Sequence, residues 1–192
     1  MWKDVFLLIL DDRDVAVRSC ISACKKRYEI PESHVIKITK YSRGLVTGRE
    51  LSGVSLHSKL IVISHGTKNV LHTCFQGDIN HFEFFELVLE LGLKEVGVIS
   101  FKACNIGKGN FLENFRAELC HELEIGYLLA YKGPAVTVWR HEGVGFIDTC
   151  IRLFSCGVFK LPDHFRVKII RGNAPPGKFS VIKKRWSSFE SF

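Results

Sequence analysis

Two reactive side chains follow two strongly apolar segments of this sequence. Segment 59–64 runs directly into His65 and Gly66, and segment 96–101 precedes Cys104. Continuous β-branched runs of this kind are typical of strands that are covered on both faces of an α/β sheet. Ligand sites in such sheets lie at the carboxyl ends of the strands. A thiol and an imidazole at neighbouring strand ends therefore predict a nucleophile and its proton carrier.

The rest of the sequence supplies elements that position these two side chains. Apolar runs predict further strands at 4–10, 35–39, 125–131, 135–139 and 165–170, and helical periodicity predicts helices over 15–28, 79–91, 110–123 and 145–154. Asp14, Asp78 and Asn110 are the predicted N-caps of the first three helices. The alternation predicts an α/β fold with a mostly parallel central sheet flanked by helices. Residues 179–182 are expected to pair back on 165–170 as a C-terminal β-hairpin or flap.

Composition indicates one globular domain over residues 1–192, with a basic C-terminal segment from about 160. Hydrophobic residues make up 46% of the 192 residues and charged residues 24%, which is ordinary for a chain with a packed core. No apolar run approaches the ~20 residues of a membrane span, and no cleavage site follows the short run 6–10. The seven cysteines lack paired spacing, so neither a disulfide framework nor a metal site is expected. A reducing compartment follows, either the cytosol of the producing cell or that of a host cell reached without a cleavable signal peptide.

The formal net charge of +7 favours a polyanionic partner. Nucleic acid, anionic lipid and a small polyphosphate all satisfy that criterion, and an inert solvated basic surface is the plain alternative. Nucleic acid is not the expected partner, because the basic segment holds few aromatic residues for base stacking beyond Phe179 and Trp186.

A strand that ends in His-Gly, followed by one that ends in Ala-Cys, resembles the clan of caspase-like cysteine peptidases. Within that clan, the Ser-His-Gly motif ending at Gly66 and the Ala-Cys-Asn-Ile-Gly motif ending at Gly107 are most similar to one group. That group is the inositol hexakisphosphate-activated cysteine protease domains of large bacterial toxins. The likeness covers about residues 55–140. It implies a caspase-like fold for the whole chain.

The resemblance implies a role for each residue of the two motifs. Cys104 would attack a peptide carbonyl as a thiolate, and His65 would protonate the leaving amine. The N–H groups of Gly66 and Cys104 would form the oxyanion hole. The family uses a dyad, so a third catalytic carboxylate is not expected. The alternative is a buried structural cysteine and a histidine that caps a turn.

Lys102 stands two residues before Cys104, where caspases have a glutamine and metacaspases an aspartate. A lysine there predicts preference for an acidic P1 side chain of the substrate, or else contact with solvent or an anion. The resemblance also implies inositol hexakisphosphate as an allosteric activator. Charge clustering alone gives the candidate ligands of that polyphosphate, with 25–27 as additional ones: Lys168, Arg171, Lys183, Lys184 and Arg185.

The leading hypothesis is a cysteine endopeptidase that cleaves a protein or peptide substrate, as a bacterial effector inside a host cell. The alternative is a non-catalytic pseudo-protease that holds a peptide or an inositol polyphosphate in the same crevice. Neither hypothesis requires a metal.

Overall fold

A computed structural model describes residues 3–40, 43–138 and 141–175 of the chain. Its strands are β1 (Asp4–Ile9), β2 (Val35–Lys37), β3 (Ser58–Ile63), β4 (Leu71–Thr73), β5 (Gly77–Ile79), β6 (Glu95–Lys102), β7 (Glu124–Tyr131), β8 (Ala135–Val138), β9 (His141–Val144) and β10 (Val167–Arg171). Its α-helices are α1 (Val15–Tyr28), α2 (His81–Glu90), α3 (Phe111–Glu118), α4 (Gly145–Phe154) and α5 (Asp163–Arg166).

Six of these strands form the central sheet in the order β10-β7-β6-β3-β1-β2. All neighbours are parallel except β10, which pairs antiparallel with β7. Two short antiparallel hairpins stand apart from the sheet: β4–β5 follows β3, and β8–β9 follows β7. The predicted single α/β domain with a mostly parallel, helix-flanked sheet is confirmed.

One face of the sheet is a continuous apolar layer beneath α2 and α3. Phe84 lies 5.2 Å from Phe101 and 5.4 Å from Phe115, measured between ring centroids. Phe111 joins the same cluster at 5.5 Å from Phe101. All four rings are fully buried, as expected where alternate strand residues and one helical stripe face each other.

The opposite face is divided between two smaller apolar clusters. Helix α1 covers β1 and β3, with Val17 and Cys24 packed on Leu7 and Ile61. A second cluster over β6, β7 and β10 contains Val98, Tyr127, Leu129 and Val167. Lys59, Ser100 and Lys102 of the sheet line a cavity on this same face.

The predicted bounds of α1 match the structure, because both of its ends carry strong signals. The carboxylate of Asp14 accepts the N–H of Val17 at 2.8 Å, which caps the first turn. Three basic residues, 25–27, occupy the last turn, where they favour the negative end of the helix dipole.

The predicted start of α2 at residue 79, capped by Asp78, is wrong. Residues 77–79 form β5 instead, and the Asp78 carboxylate contacts the ring of His72 across the hairpin. The helix begins two residues later at His81. Asn80 caps it in a capping box with Glu83, which satisfies the exposed N–H groups of the first turn.

Other boundaries also differ from the predictions. Helix α3 ends at Glu118 rather than at 123, because Leu119 adopts an extended conformation (φ −63°, ψ 122°). Asn110 precedes α3 but makes no side-chain capping bond. Strand β2 stops at Lys37. Residues 179–182 lie outside the described residues.

Candidate active site

The register of the sheet places the two reactive residues just beyond the ends of two neighbouring strands. Strands β3 and β6 pair in parallel with Ile63 opposite Lys102, and His65 and Cys104 each follow two residues later. Adjacent strands lie ~4.8 Å apart, so the carboxyl ends of β3 and β6 are neighbours at one end of the sheet. Gly66 contributes by lacking a side chain, since a Cβ there would lie 3.1 Å from the Cβ of Ala103.

The loop that carries Cys104 is fixed by the turn between β7 and β8. The N–H of Ala135 donates to Sγ of Cys104 at 3.3 Å, and the N–H of Asn105 donates to the carbonyl of Gly133 at 3.2 Å. Asn105 has a φ of 61°, a left-handed conformation that asparagine tolerates. Gly107 is required by close packing, because a Cβ would lie 2.6 Å from the carbonyl oxygen of Ala130. The backbone therefore holds the thiol beside a hydrogen-bond donor.

His65 is held by a carboxylate that the sequence analysis did not expect in this role. Its Nε2 contacts one carboxylate oxygen of Asp14, whose other oxygen accepts the N–H of Val17. The Val17 N–H lowers the pKa of Asp14 more than burial raises it, and His65 adds to the lowering. One sequence signal was available: Asp14 follows β1, which neighbours β3, so the ends of both strands lie at the same edge of the sheet.

The thiol and the imidazole do not hydrogen-bond to each other in the part of the chain that the structure describes. Each is engaged elsewhere, Cys104 by Ala135 and His65 by Asp14. A ring held at Nε2 leaves Nδ1 for a substrate or a thiol. Within residues 3–40, 43–138 and 141–175, His, Cys, Asp and Glu side chains form no group of three or more that could hold a metal ion.

Lys102 is buried, on the face of the sheet that α1 partly covers. Its amine contacts the hydroxyl of Tyr131 and lies 4.5 Å from the centroid of that ring. The side chain lines a cavity of about 400 Å³ between α1 and the α4–α5 segment. A preference of Lys102 for an acidic P1 side chain of the substrate stays a prediction.

Six basic side chains converge on this cavity, which we call the cationic pocket: Arg27, Lys59, Lys102, Arg152, Lys160 and Arg166. Asp163 is the acidic residue of its lining, and it pairs with Lys160 and Arg166. The pocket also contains Tyr28, whose hydroxyl accepts a hydrogen bond from Lys59 at 3.0 Å. Burial opposes ionisation of Tyr28, yet the nearby positive charges outweigh it and hold its pKa below the usual value.

Of the basic residues predicted to bind a polyphosphate, Lys168 and Arg171 lie outside the cationic pocket. Lys168 donates to the carbonyl of Gly109 at 2.9 Å and pairs with Glu113. It lines a separate cavity of about 480 Å³ near the Cys104 loop. Arg171 ends β10 and does not line the cationic pocket. Lys183, Lys184 and Arg185 lie outside the described residues. Of the additional candidates 25–27, Arg27 does line the cationic pocket.

Neither a protein-family model nor a curated protein sequence matches this chain. Among solved structures, the fold is similar to that of a secreted C11 cysteine protease from Bacteroides thetaiotaomicron, determined in complex with an irreversible peptide inhibitor. The two chains are 10% identical, with a TM-score of 0.43 over 67% of this chain and 48% of that chain. The chain thus spans about half the length of that protease.

Proposed function

We propose that this chain is a cysteine endopeptidase in which Cys104 is the nucleophile and His65 the proton carrier. The observation that carries the proposal is the β3–β6 register, which puts a thiol and an imidazole two residues beyond paired positions at one sheet edge. Thiol–imidazole pairs are the usual machinery of acyl transfer by cysteine.

The reaction would proceed in two steps. The thiolate of Cys104 attacks the peptide carbonyl carbon, and the oxyanion is received by the N–H groups of Gly66 and Cys104. His65 then donates its proton to the amine as the C–N bond breaks, leaving a thioester on Cys104. In the second step, water loses a proton to His65 and attacks the thioester, which releases the acid and restores the thiolate beside the protonated imidazole.

Asp14 would position the imidazole for both proton transfers. Its carboxylate accepts from Nε2, so the ring presents Nδ1 to the reacting atoms and the protonated ring is stabilised by the adjacent negative charge. Because Asp14 is fixed by its capping bond to α1, this orientation is maintained by the helix itself.

A thiol-directed peptide probe tests the assignment directly. A peptidyl acyloxymethyl ketone loses its carboxylate when a thiolate attacks, which leaves a stable thioether that intact mass spectrometry detects. We expect one label per chain in the wild type, none in Cys104→Ala, and slow labelling in His65→Ala. Cys120→Ala removes an exposed thiol and serves as the matched control that keeps the label. Labelling that persists in Cys104→Ala would refute the proposal.

We further propose that an inositol polyphosphate regulates the enzyme, with the cationic pocket as its site. Six basic side chains against one lining carboxylate favour a compact, highly charged anion, and the lowered pKa of Tyr28 reflects the same positive charge. The pocket adjoins α1, whose cap holds His65 through Asp14, and Lys102, which precedes Cys104 by two residues. Occupancy would thereby favour one arrangement of the catalytic loop.

Thermal unfolding with inositol hexakisphosphate tests this part separately. We expect an upward shift of the melting temperature at low salt that is largely lost in Lys59→Met and retained in Lys168→Met. Lys168 is the matched control because it is a partly buried lysine on the same sheet outside the pocket. Equal loss in the two variants would contradict the pocket assignment.

A non-catalytic pseudo-protease is the second candidate, favoured by one observation: Cys104 and His65 are each bonded to another group. For a pseudo-protease, we expect inositol hexakisphosphate to raise the melting temperature and the peptide probe to leave Cys104 unlabelled. Action in a reducing cytosol remains part of the proposal, supported by seven free cysteines. The role as an effector in a host cell remains a prediction.

A further inference from the structure

Helix α4 is oriented with its polar side toward the protein. Asp148 is completely buried and Arg152, one turn later, is mostly buried. The apolar side faces outward instead, with Phe146 exposed at 84% and Phe154 at 90%. An amphipathic helix on a monomeric protein normally buries its apolar stripe, so this arrangement is the reverse of the usual one.

The burial of Asp148 explains why the helix sits this way. Its Oδ2 accepts the N–H of Val144 at 2.9 Å, Nε of Arg166 at 2.8 Å and Nε of Arg152 at 3.2 Å. Its Oδ1 accepts the N–H of Leu161 at 2.9 Å. The carboxylate thus joins β9, α4 and α5, and a buried charge with this many donors is a stable anchor.

The exposed apolar surface continues beyond α4. Residues 155–159 fold back against the helix end, with the N–H of Gly157 bonded to the carbonyl of Arg152 and that of Phe159 to the hydroxyl of Ser155. We call the whole surface the α4–α5 apolar face, and its members are Phe146, Ile147, Leu153, Phe154, Val158, Phe159 and Phe165. Large apolar side chains that are exposed together mark interaction sites.

Positive charge borders this face. Val158 and Lys160 both line the cationic pocket, so its mouth adjoins the α4–α5 apolar face. Lys160 is half exposed and pairs with Asp163, and the lining of the pocket holds six basic residues against that one carboxylate. Apolar side chains next to cations are the combination that binds an anionic lipid surface, where rings enter the acyl boundary and cations meet the headgroups.

Two other occupants fit this charge distribution poorly. A second copy would use the same patch on both subunits of a two-fold dimer, which would bring like charges together. Residues 176–192 carry Lys178, Lys183, Lys184 and Arg185 against the single acidic residue Glu190, so they would also add cations to cations.

We propose that the α4–α5 apolar face is a docking surface for an anionic lipid bilayer. It holds the protein at the membrane surface with Phe154 and Phe159 in the interface and the mouth of the cationic pocket toward the headgroups. The inference does not depend on the peptidase activity, because none of its residues belongs to the Cys104–His65 site.

Vesicle flotation of the 192-residue Cys104→Ala chain tests the inference apart from catalysis. We expect binding to vesicles of phosphatidylcholine with 30% phosphatidylserine, much weaker binding to pure phosphatidylcholine, and weakening by added salt. In the same background, Phe154→Ser with Phe159→Ser should reduce partitioning by about tenfold or more. Leu45→Ser removes an equally exposed apolar side chain elsewhere and should change partitioning by less than about twofold.

Three outcomes would overturn the proposal. The first is unchanged vesicle binding by the double serine variant, whose fold is checked by circular dichroism. The second is an equal loss in Leu45→Ser. The third is a concentration-dependent dimer in analytical ultracentrifugation without lipid that the double variant dissociates, because the face would then be covered by a second copy.

Discussion

The face of the sheet beneath α2 and α3 buries Phe84, Phe101 and Phe115 in mutual ring contact, whereas the opposite face holds Lys59 and Lys102 around a cavity. The first arrangement gains free energy from burial of apolar surface and close packing. The second concentrates positive charge where a solvated anion can enter. The first face is stabilised by packing throughout, whereas the second face keeps a cavity lined with cations between its two smaller apolar clusters.

Replacement of a buried ring tests the stabilising face. Phe84→Ala removes the centre of the aromatic cluster and should lower the free energy of unfolding by about 3–5 kcal/mol, because it leaves a cavity. Urea denaturation monitored by circular dichroism measures the change. The matched control is Phe82→Ala on the same helix, where the ring is 46% exposed and the expected loss is below about 1 kcal/mol. Equal losses of unfolding free energy in the two variants would show that the buried aromatic cluster stabilises the fold no more than an exposed ring does.

Asp148→Asn tests whether a buried carboxylate stabilises the side of the protein that carries the cationic pocket. The variant leaves Arg152 and Arg166 without their carboxylate, so we expect a loss of about 3 kcal/mol in the free energy of unfolding at neutral pH. Glu86→Gln, an exposed carboxylate on α2, should change it by no more than about 0.5 kcal/mol. A near-neutral Asp148→Asn would show that the network adds nothing to stability.

The environment of the same carboxylate also predicts how stability changes in acid. Burial alone would raise the pKa of Asp148, but hydrogen bonds from Leu161, Arg166 and Val144 outweigh it and lower that pKa. Its contribution to stability is therefore present above about pH 4 and is lost as pH falls through the lowered folded-state pKa. The stability difference between wild type and Asp148→Asn should shrink in that range. A difference that is constant from neutral pH to strong acid would contradict the cause given.

Asp14→Ser separates positioning of His65 from capping of α1. Serine retains an N-cap, so stability should change by about 0.5 kcal/mol or less, while loss of the imidazole's partner should lower kcat by about 10- to 100-fold. Asp14→Ala should lower kcat similarly and cost about 1 kcal/mol more stability. The rate of Cys104 labelling by the acyloxymethyl ketone probe is the second measurement, because it reports the thiol–imidazole pair apart from the capping of α1. An unchanged kcat and labelling rate in Asp14→Ser would limit Asp14 to capping.

Lys102→Met should change ligand binding more than stability. It exchanges a cation among five others for an apolar side chain, so the free energy of unfolding should change by less than about 1 kcal/mol. The thermal shift with inositol hexakisphosphate should nevertheless fall, and a preference for acidic P1 residues, if Lys102 sets it, should disappear. A large loss of stability without change in either property would assign Lys102 a structural role.

The sequence predicted the elements with strong local signals and missed those set by tertiary contact. Helix α1 was correct because Asp14 and three terminal basic residues define it locally. The start of α2 was missed because Asp78 pairs across a hairpin that no local pattern indicated. The positions of His65 and Cys104 at strand ends were readable from apolar runs, since parallel strands place their carboxyl ends together.

The partners of these residues were not readable in the same way. The contact of Asp14 with His65 joins residues 51 apart, and the cationic pocket collects side chains from α1, β3, β6 and the α4–α5 segment. Charge counting directed attention to the basic C-terminal segment, because a linear sequence does not show which cations share a sheet face. Arg166 illustrates the difference: it belongs to that segment and yet pairs with the buried Asp148.

Digestion of an unbiased peptide library tests the central claim most directly. Mass spectrometry of the products, with and without inositol hexakisphosphate, should show defined cleavages by the wild type and by Cys120→Ala. Cys104→Ala should produce them at a rate at least about 10⁴-fold lower. Cleavage by Cys104→Ala at the wild-type rate would show that the β3–β6 strand ends are not the active site.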